Sequence, residues 1–307
     1  MITQTNKIHT PVLLNELLAN LKVKPNGLYV DCTAGFGGHS GEIASQLKLG
    51  LLTCIDQDIN AINHLNKLFK DNAHVEIYED NFVNLDHIVN QKVDGIIMDL
   101  GVSSLMFDDP TRGFSYKNDG PLDMRMNVDG QVTAADIINN YSRAQLITLF
   151  KKYADVKSPN KVVDAIIKNR EHKPITSTLE LAEIIAQATP GSLQRKHPAK
   201  VYFQALRIEV NKELDVLEKA LEKACRLLKS KGRLCVITFH SLEDRIVKNY
   251  FRELAESKDL YGKDVPIRKM SKPEFKLITK KPVVPTEQEM KTNRRSHSAK
   301  LRVIEKI

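Results

Sequence analysis

The chain has 307 residues with a formal net charge of +8, long enough for one large domain or two ordinary ones to bury a core without an external staple. Its four cysteines, Cys32, Cys54, Cys225 and Cys235, make no Cys-x-x-Cys pair and no His/Cys cluster at ligand spacing, which argues against a disulfide framework and a metal site and reads as buried thiols in a reducing compartment. Residues 1–7 are polar and no apolar run approaches the ~18 residues of a membrane span, so a soluble, cytoplasmic protein with no membrane partner is expected.

Short apolar runs at 28–30, 51–55, 75–78 and 95–98 are bounded by Gly, Asp or Asn and alternate with helical patterns at 40–47 and 59–69. This is the signature of strand-helix-strand units around a parallel sheet. Residues 108–130 form a loop rich in Asp, Gly and Pro. Helix-start signals follow: capping boxes at Ser142 with Gln145 and at Ser177 with Glu180, and Pro159 at a first helical position. Leu214, Leu217, Leu221, Ala224 and Leu228 then recur at helical spacing, with the helix expected to end at Gly232. A buried strand at 234–239 and a last one at 301–304 complete the pattern. The expected fold is α/β, with one domain made of 1–106 and 211–307 and an inserted helical domain, 107–210, as the candidate for substrate recognition.

The turn Asp31-Cys-Thr-Ala-Gly35-Phe-Gly37-Gly38-His39-Ser40 lies between the first strand and a helix, where glycines let the backbone approach a cofactor. Asp56 ends the second strand about 20 residues later, in reach of ribose hydroxyls. Phe82 follows the third strand and offers a ring for adenine. Taken singly, Asp56 reads as a turn residue and Phe82 as core. A diphosphate prefers free helix-start amides without a neighbouring carboxylate; Asp31 ahead of the glycines suits instead the cationic amino-acid end of S-adenosylmethionine.

Asp99 ends the fourth strand, facing the ligand crevice of an open sheet; it is the candidate nearest a reacting amine, with a cap or turn role as the plain alternative. In the segment 239–245, Ser241 and Asp244 have capping-box spacing, and His240 is either a substrate contact or a helix-entry residue. The positive balance favours a polyanionic partner. Lys291, Arg294, Arg295, Lys300 and Arg302 lie in 291–302 without an acidic residue, which marks the tail, and Arg294, Arg295 and Lys300 in it, as a phosphate-contact candidate.

Together, His9-Thr-Pro-Val-Leu-Leu-Asn-Glu16, Gly35-Phe-Gly-Gly-His-Ser40, Asp99-Leu-Gly-Val-Ser-Ser104, Arg112-Gly-Phe-Ser115, Asp119-Gly-Pro-Leu-Asp-Met-Arg-Met126, Phe203-Gln-Ala-Leu-Arg-Ile208, Phe239-His-Ser-Leu-Glu-Asp-Arg245 and Arg295-Ser-His-Ser-Ala-Lys-Leu-Arg302 resemble the bacterial ribosomal RNA small-subunit methyltransferase H family. The resemblance implies a class I, Rossmann-like S-adenosylmethionine methyltransferase domain with a helical insertion. It implies methylation of a cytosine N4 in the decoding region of 16S rRNA in the small ribosomal subunit; no obligate protein partner is evident in the sequence. Gly37, Gly38, His39, Asp56, Phe82 and Asp99 are the implied cofactor contacts. Asp99 then serves the cofactor and the substrate amine together, since an acceptor for the amino hydrogens would hold a weakly nucleophilic nitrogen in line with the methyl group.

Two departures qualify the match. Leu105-Met106 stands where the family reads Pro-Gln, so a glutamine contact to the cofactor is not carried over. The strand end reads Asp-Leu-Gly-Val rather than the Asp-Pro-Pro-Tyr of many amino methyltransferases, which weighs against a DNA amino methyltransferase. A non-catalytic RNA-binding module and an NAD-dependent oxidoreductase are the rivals from other classes.

Overall fold

The computed structural model describes residues 11–190, 197–257 and 272–307; His9 of the first motif lies outside them. The chain divides into two compact units, 1–101 with 216–307, and 102–215.

The first unit runs α1 Leu14–Leu21, β1 Leu28–Asp31, α2 Gly38–Ala44, β2 Leu51–Asp56, α3 Ile59–Leu68, β3 Val75–Glu79, α4 Leu85–Ile88 and β4 Val93–Asp99. The second contributes α5 Ser104–Asp108, α6 Ala134–Asn140, α7 Arg143–Tyr153, α8 Asn160–His172, α9 Thr178–Ala188 and α10 Ala199–Asn211. The chain re-enters the first unit within α11 Glu213–Leu227 and ends with β5 Leu228–Thr238, α12 Ser241–Ala255, β6 Phe275–Leu277, α13 Glu287–Thr292 and β7 Lys300–Lys306.

The seven strands form one sheet in the order β3-β2-β1-β4-β5-β7-β6. The first five are parallel, whereas β7 runs antiparallel to both β5 and β6. This is the doubly wound, Rossmann-like arrangement. Interior strands are apolar on both sides because helices cover both faces. Leu217, Leu221, Val247 and Phe251 of α11 and α12 pack on one core layer with Ile96 and Val236. Leu17, Leu21, Ile43 and Leu65 of α1, α2 and α3 pack on the other with Leu52 and Ile97. Chain order reverses between β1 and β4, so the crevice expected at such a switch point opens at the carboxyl ends of those two strands.

Two elements differ from the sequence expectation. The apolar helical spacing ends at Leu228, where the strand begins; Gly232 falls inside β5, whose pairing with β4 is irregular between Val93 and Gly95. A polar Lys-Ser-Lys stretch before a glycine thus hid an irregular strand start. Pro159 is the N-cap of α8 rather than its first residue.

In the second unit, the Phe150 and Tyr202 rings meet edge to face at 4.9 Å in a core with Leu146, Ile166, Ile185 and Leu206. Thr133 with Asp136 and Ser142 with Gln145 form complete capping boxes. Ser177 caps Glu180 N, but the Glu180 carboxylate accepts from Thr176 N instead of closing the box. The 109–130 loop folds on itself: the Arg112 guanidinium donates to the Arg125 and Met126 carbonyls at 3.1 and 2.9 Å. Arg125 pairs with Asp123 at 2.7 Å, and the Asn211 amide bridges Met126 N and Met124 O at 2.8 Å each.

Gly113 closes that loop at φ +71°, and a Cβ there would stand 2.1 Å from Pro121 O. Gly113→Ala combines a left-handed backbone with a clash against main chain. It is expected to cost more than ~2 kcal/mol, read as a lower urea midpoint or loss of the helical unit's protection in hydrogen exchange; an unchanged midpoint would contradict this account of the loop.

Candidate functional site

Asp31, Asp56 and Asp99 are the last residues of β1, β2 and β4, so the sheet register delivers three carboxylates to one edge. The turn after β1 is shaped by what it donates to them. Ala34 N bonds Ile55 O at 3.0 Å, Gly35 N donates to Asp56 Oδ2 at 2.8 Å, and Gly35 and Gly37 take φ +51° and +79°. Asp58 N donates to the other Asp56 oxygen at 2.9 Å. Burial outweighs these bonds and pushes the Asp56 carboxyl up to about 6. Phe82 opens a short turn capped by Asn81, whose amide donates to Gln57 Oε1 at 2.9 Å. The turn after β3 is thereby tied to the end of β2, and Phe82 packs half-buried against the core.

Asp31 does not line the crevice as an exposed anion. It is fully buried; one oxygen accepts from Ser40 Oγ at 2.5 Å and the other from Thr33 N at 3.1 Å. Burial raises it to about 6, against both hydrogen bonds. Its part is to lock the glycine turn and to add negative potential beneath it.

Asp99 is fixed by its main chain, Asp99 N donating to Thr33 Oγ1 at 2.7 Å. Its Oδ1 is buried and has no hydrogen-bond partner among the described residues. Burial, then the charges of Asp31 and Glu243, drive its carboxyl well above the usual range. His39, buried on α2, stands with Nε2 3.0 Å from Val12 O and Nδ1 3.6 Å from Asp99 Oδ2.

The motif at 239–245 is read differently by the structure. The cap of α12 is His240 with Glu243, one residue earlier than the Ser241 and Asp244 spacing suggested. His240 Nδ1 accepts from Glu243 N at 3.4 Å, while the Glu243 carboxylate accepts from Phe239 N and His240 N at 2.8 and 3.2 Å. Histidine is an unusual cap residue, and that is why the pattern missed it. Asp244 instead binds Arg302 at 2.7 Å and Lys300 at 3.1 Å. Lys300 is thus paired within the fold through part of its ammonium group; Arg294 is exposed and Arg295 half-buried. Met106, where a glutamine was expected, is buried. Thr33, Val12 and Glu243 escaped sequence reasoning. Only Glu243 had a signal, its position three residues after His240.

A family model described as the MraW methylase family matches residues 6–307. The chain belongs to this family. Among its relatives, a Ribosomal RNA small subunit methyltransferase H from Fusobacterium nucleatum is 48% identical over 309 residues, covering 98% of each chain. One of the same name from Carboxydothermus hydrogenoformans is 49% identical over 306 residues, covering 97% of this chain and 98% of the other. A solved rRNA methylase from Streptococcus thermophilus aligns with a TM-score of 0.43 at 14% identity, over 100% of this chain and 99% of that one; the sheet topology above does not depend on so loose a likeness. A methylase of this family is a transferase, so the oxidoreductase alternative is set aside.

The raised carboxyls of this MraW methylase set the sign of a pH effect. Asp31 and Asp56 bind protons more tightly folded, at about 6, than at an ordinary 3.8. Their contribution to stability is complete below about 3.8 and lost as pH rises through 6, up to about 3 kcal/mol for Asp31. In the opposite sense, Asp94, held down to about 2 by Lys229 and Lys24 despite its burial, stabilises above 3.8 and fails only in strong acid. The urea midpoint of the free protein is thus expected to be higher at pH 5.5 than at pH 7.5; a midpoint that rises with pH across this window would contradict the buried-carboxylate assignment.

Proposed function

We propose that the chain methylates the exocyclic N4 amine of a cytidine in the decoding region of 16S rRNA, within the small ribosomal subunit in the cytoplasm, using S-adenosylmethionine. The observation that carries the reading is the donor set: three carboxylates converge on a glycine turn at the sheet's switch point, and one carboxylate oxygen, Asp99 Oδ1, is buried without a partner. Such a set repels a diphosphate and suits a cation. The small-subunit rRNA methyltransferase names of the relatives support the substrate class, and among the described residues no helix is long and apolar enough to cross a membrane.

When bound, S-adenosylmethionine supplies an electrophilic methyl group on a positively charged sulfur. Asp56, with the lone pairs its amide contacts leave free, accepts from the ribose hydroxyls. Gly37, Gly38 and His39 form the wall after β1, and Phe82 gives adenine an apolar surface. Asp99 Oδ1 accepts an amino hydrogen of the cytosine, which holds the nitrogen in line and disperses the positive charge that develops on it. His240 acts through the α12 cap it makes. The helical domain, 107–210, and the exposed Arg294 with Arg295 grip the RNA by its phosphates and shape.

Labelled S-adenosylmethionine supplied with unmodified small subunits is expected to deliver label to a single cytidine; label elsewhere, or none, refutes the reading. Asp99→Ala should lower transfer by two or more orders of magnitude while RNA binding persists. Asp56→Ala should weaken S-adenosylmethionine binding about 10- to 100-fold by calorimetry, the range for losing charge-assisted hydrogen bonds. In the unaltered protein the same affinity should decline as pH falls through about 6, because protonation of Asp56 removes the acceptor.

A further inference from the structure

We propose that His39 Nδ1 and Asp99 Oδ2 share one proton, and that His39 thereby keeps Asp99 ionised toward the reacting amine. His39 is in this sense a positioning residue acting through Asp99, and its catalytic meaning rests on the methyl-transfer reading above.

The geometry is decided by Val12. A carbonyl oxygen can only accept, so the 3.0 Å contact at Val12 O requires the proton on His39 Nε2. In a neutral ring Nδ1 then carries its lone pair as an acceptor, and it stands 3.6 Å from Asp99 Oδ2. If Asp99 is ionised as well, two acceptors face each other in a buried setting and repel. One proton between them converts that repulsion into a charge-assisted contact, which shortens when the site closes on its ligands.

The groups around Asp99 make this proton necessary. Asp31 on β1 and Glu243 on α12 both act on it with negative charge, and Thr33 brings only a neutral hydroxyl, whose oxygen accepts from the Asp99 main chain. Among the described residues paired with Asp99, His39 on α2 is the basic one, and with a second proton on its ring it brings a positive charge to Oδ2. With the shared proton on Nδ1, the negative charge of Asp99 is offset at Oδ2, and Oδ1, unpartnered and buried, is free to accept from the amine. In the transfer itself the nitrogen lone pair forms the bond to the methyl carbon and the carbon–sulfur pair leaves with sulfur. The N–H proton passes to Asp99 Oδ1 and from there to water as product departs; the His39 proton is not consumed.

Two measurements decide it. The first is made on the free protein: nitrogen-15 NMR titration of the histidines, with His39 assigned by its loss in His39→Gln. His39 should carry its neutral-state proton on Nε2, and Asp99→Asn should lower its pKa by about a unit or more. Equal titration in both proteins, or the opposite tautomer, overturns the shared proton. The second is the pH dependence of single-turnover transfer at saturating donor. His39→Gln keeps a donor for Val12 O but removes the nitrogen facing Asp99. Its acidic limb should move about one unit toward alkaline pH, with a rate about tenfold lower at pH 7 that recovers to within a few-fold at pH 9. A uniform loss at every pH, or no loss, overturns the role assigned to His39. Should the unaltered protein methylate no RNA at all, it is the functional reading that falls, while the NMR titration still judges the shared proton on its own.

Discussion

The structure is organised around negative charge held where it is costly. Asp31, Asp56 and Asp99 end three parallel strands beside one another, and desolvation presses on each. The turn after β1 answers that pressure: Thr33 N, Gly35 N and Ser40 Oγ all point into it, and the Thr33 hydroxyl pins the Asp99 main chain. The left-handed glycines at 35 and 37 make the required path possible. A site built to repay this cost with a bound cation would be loosened if its carboxylates were relieved by resident lysines.

Elsewhere in the same unit, carboxylates are treated in the opposite way. Asp94 has Lys24 and Lys229, Asp244 has Arg302 and Lys300, and Glu305 has Arg233 and Lys276. All three are held below their ordinary range despite partial burial. These pairs tie distant parts of the chain together; Arg233 and Glu305 sit opposite each other in the β5–β7 register. Acids paired with lysine or arginine are architecture; the strand-end acids are hydrogen-bonded only by neutral groups or, at Asp99 Oδ1, by none among the described residues, and that difference marks them for chemistry.

Much of this was legible in the sequence, for identifiable reasons. Buried parallel strands leave short apolar runs, and a strand must end before a glycine turn, so the sheet and the positions of Asp56 and Asp99 could be read directly. What stayed hidden depended on contacts between residues far apart in the chain. The ion pair of Lys300 with Asp244 could not be read, because the two lie 56 positions apart. By position Asp31 suits the cationic end of the donor, but nothing in its spacing reveals that Ser40 covers it. The short strand β6 has only three residues and no periodicity to detect, and the His240 cap was missed because propensity favours the serine beside it.

Sequence blocks that carry a family resemblance therefore mix two kinds of residue. Arg112, Gly113, Asp123 and Arg125 belong to such blocks, yet their contacts are with the loop they build: guanidinium to carbonyl, carboxylate to guanidinium, backbone against backbone. Their polar groups are satisfied by the fold, so replacing one should be felt first as instability. Asp99 belongs to a block of the same appearance, but its Oδ1 leaves a buried acceptor unmet, a cost the fold does not recover within its described residues. A group that the folded chain leaves unsatisfied at the switch point of an open sheet is satisfied by something that comes and goes, and for an acceptor among acids that something is cationic or donates a proton.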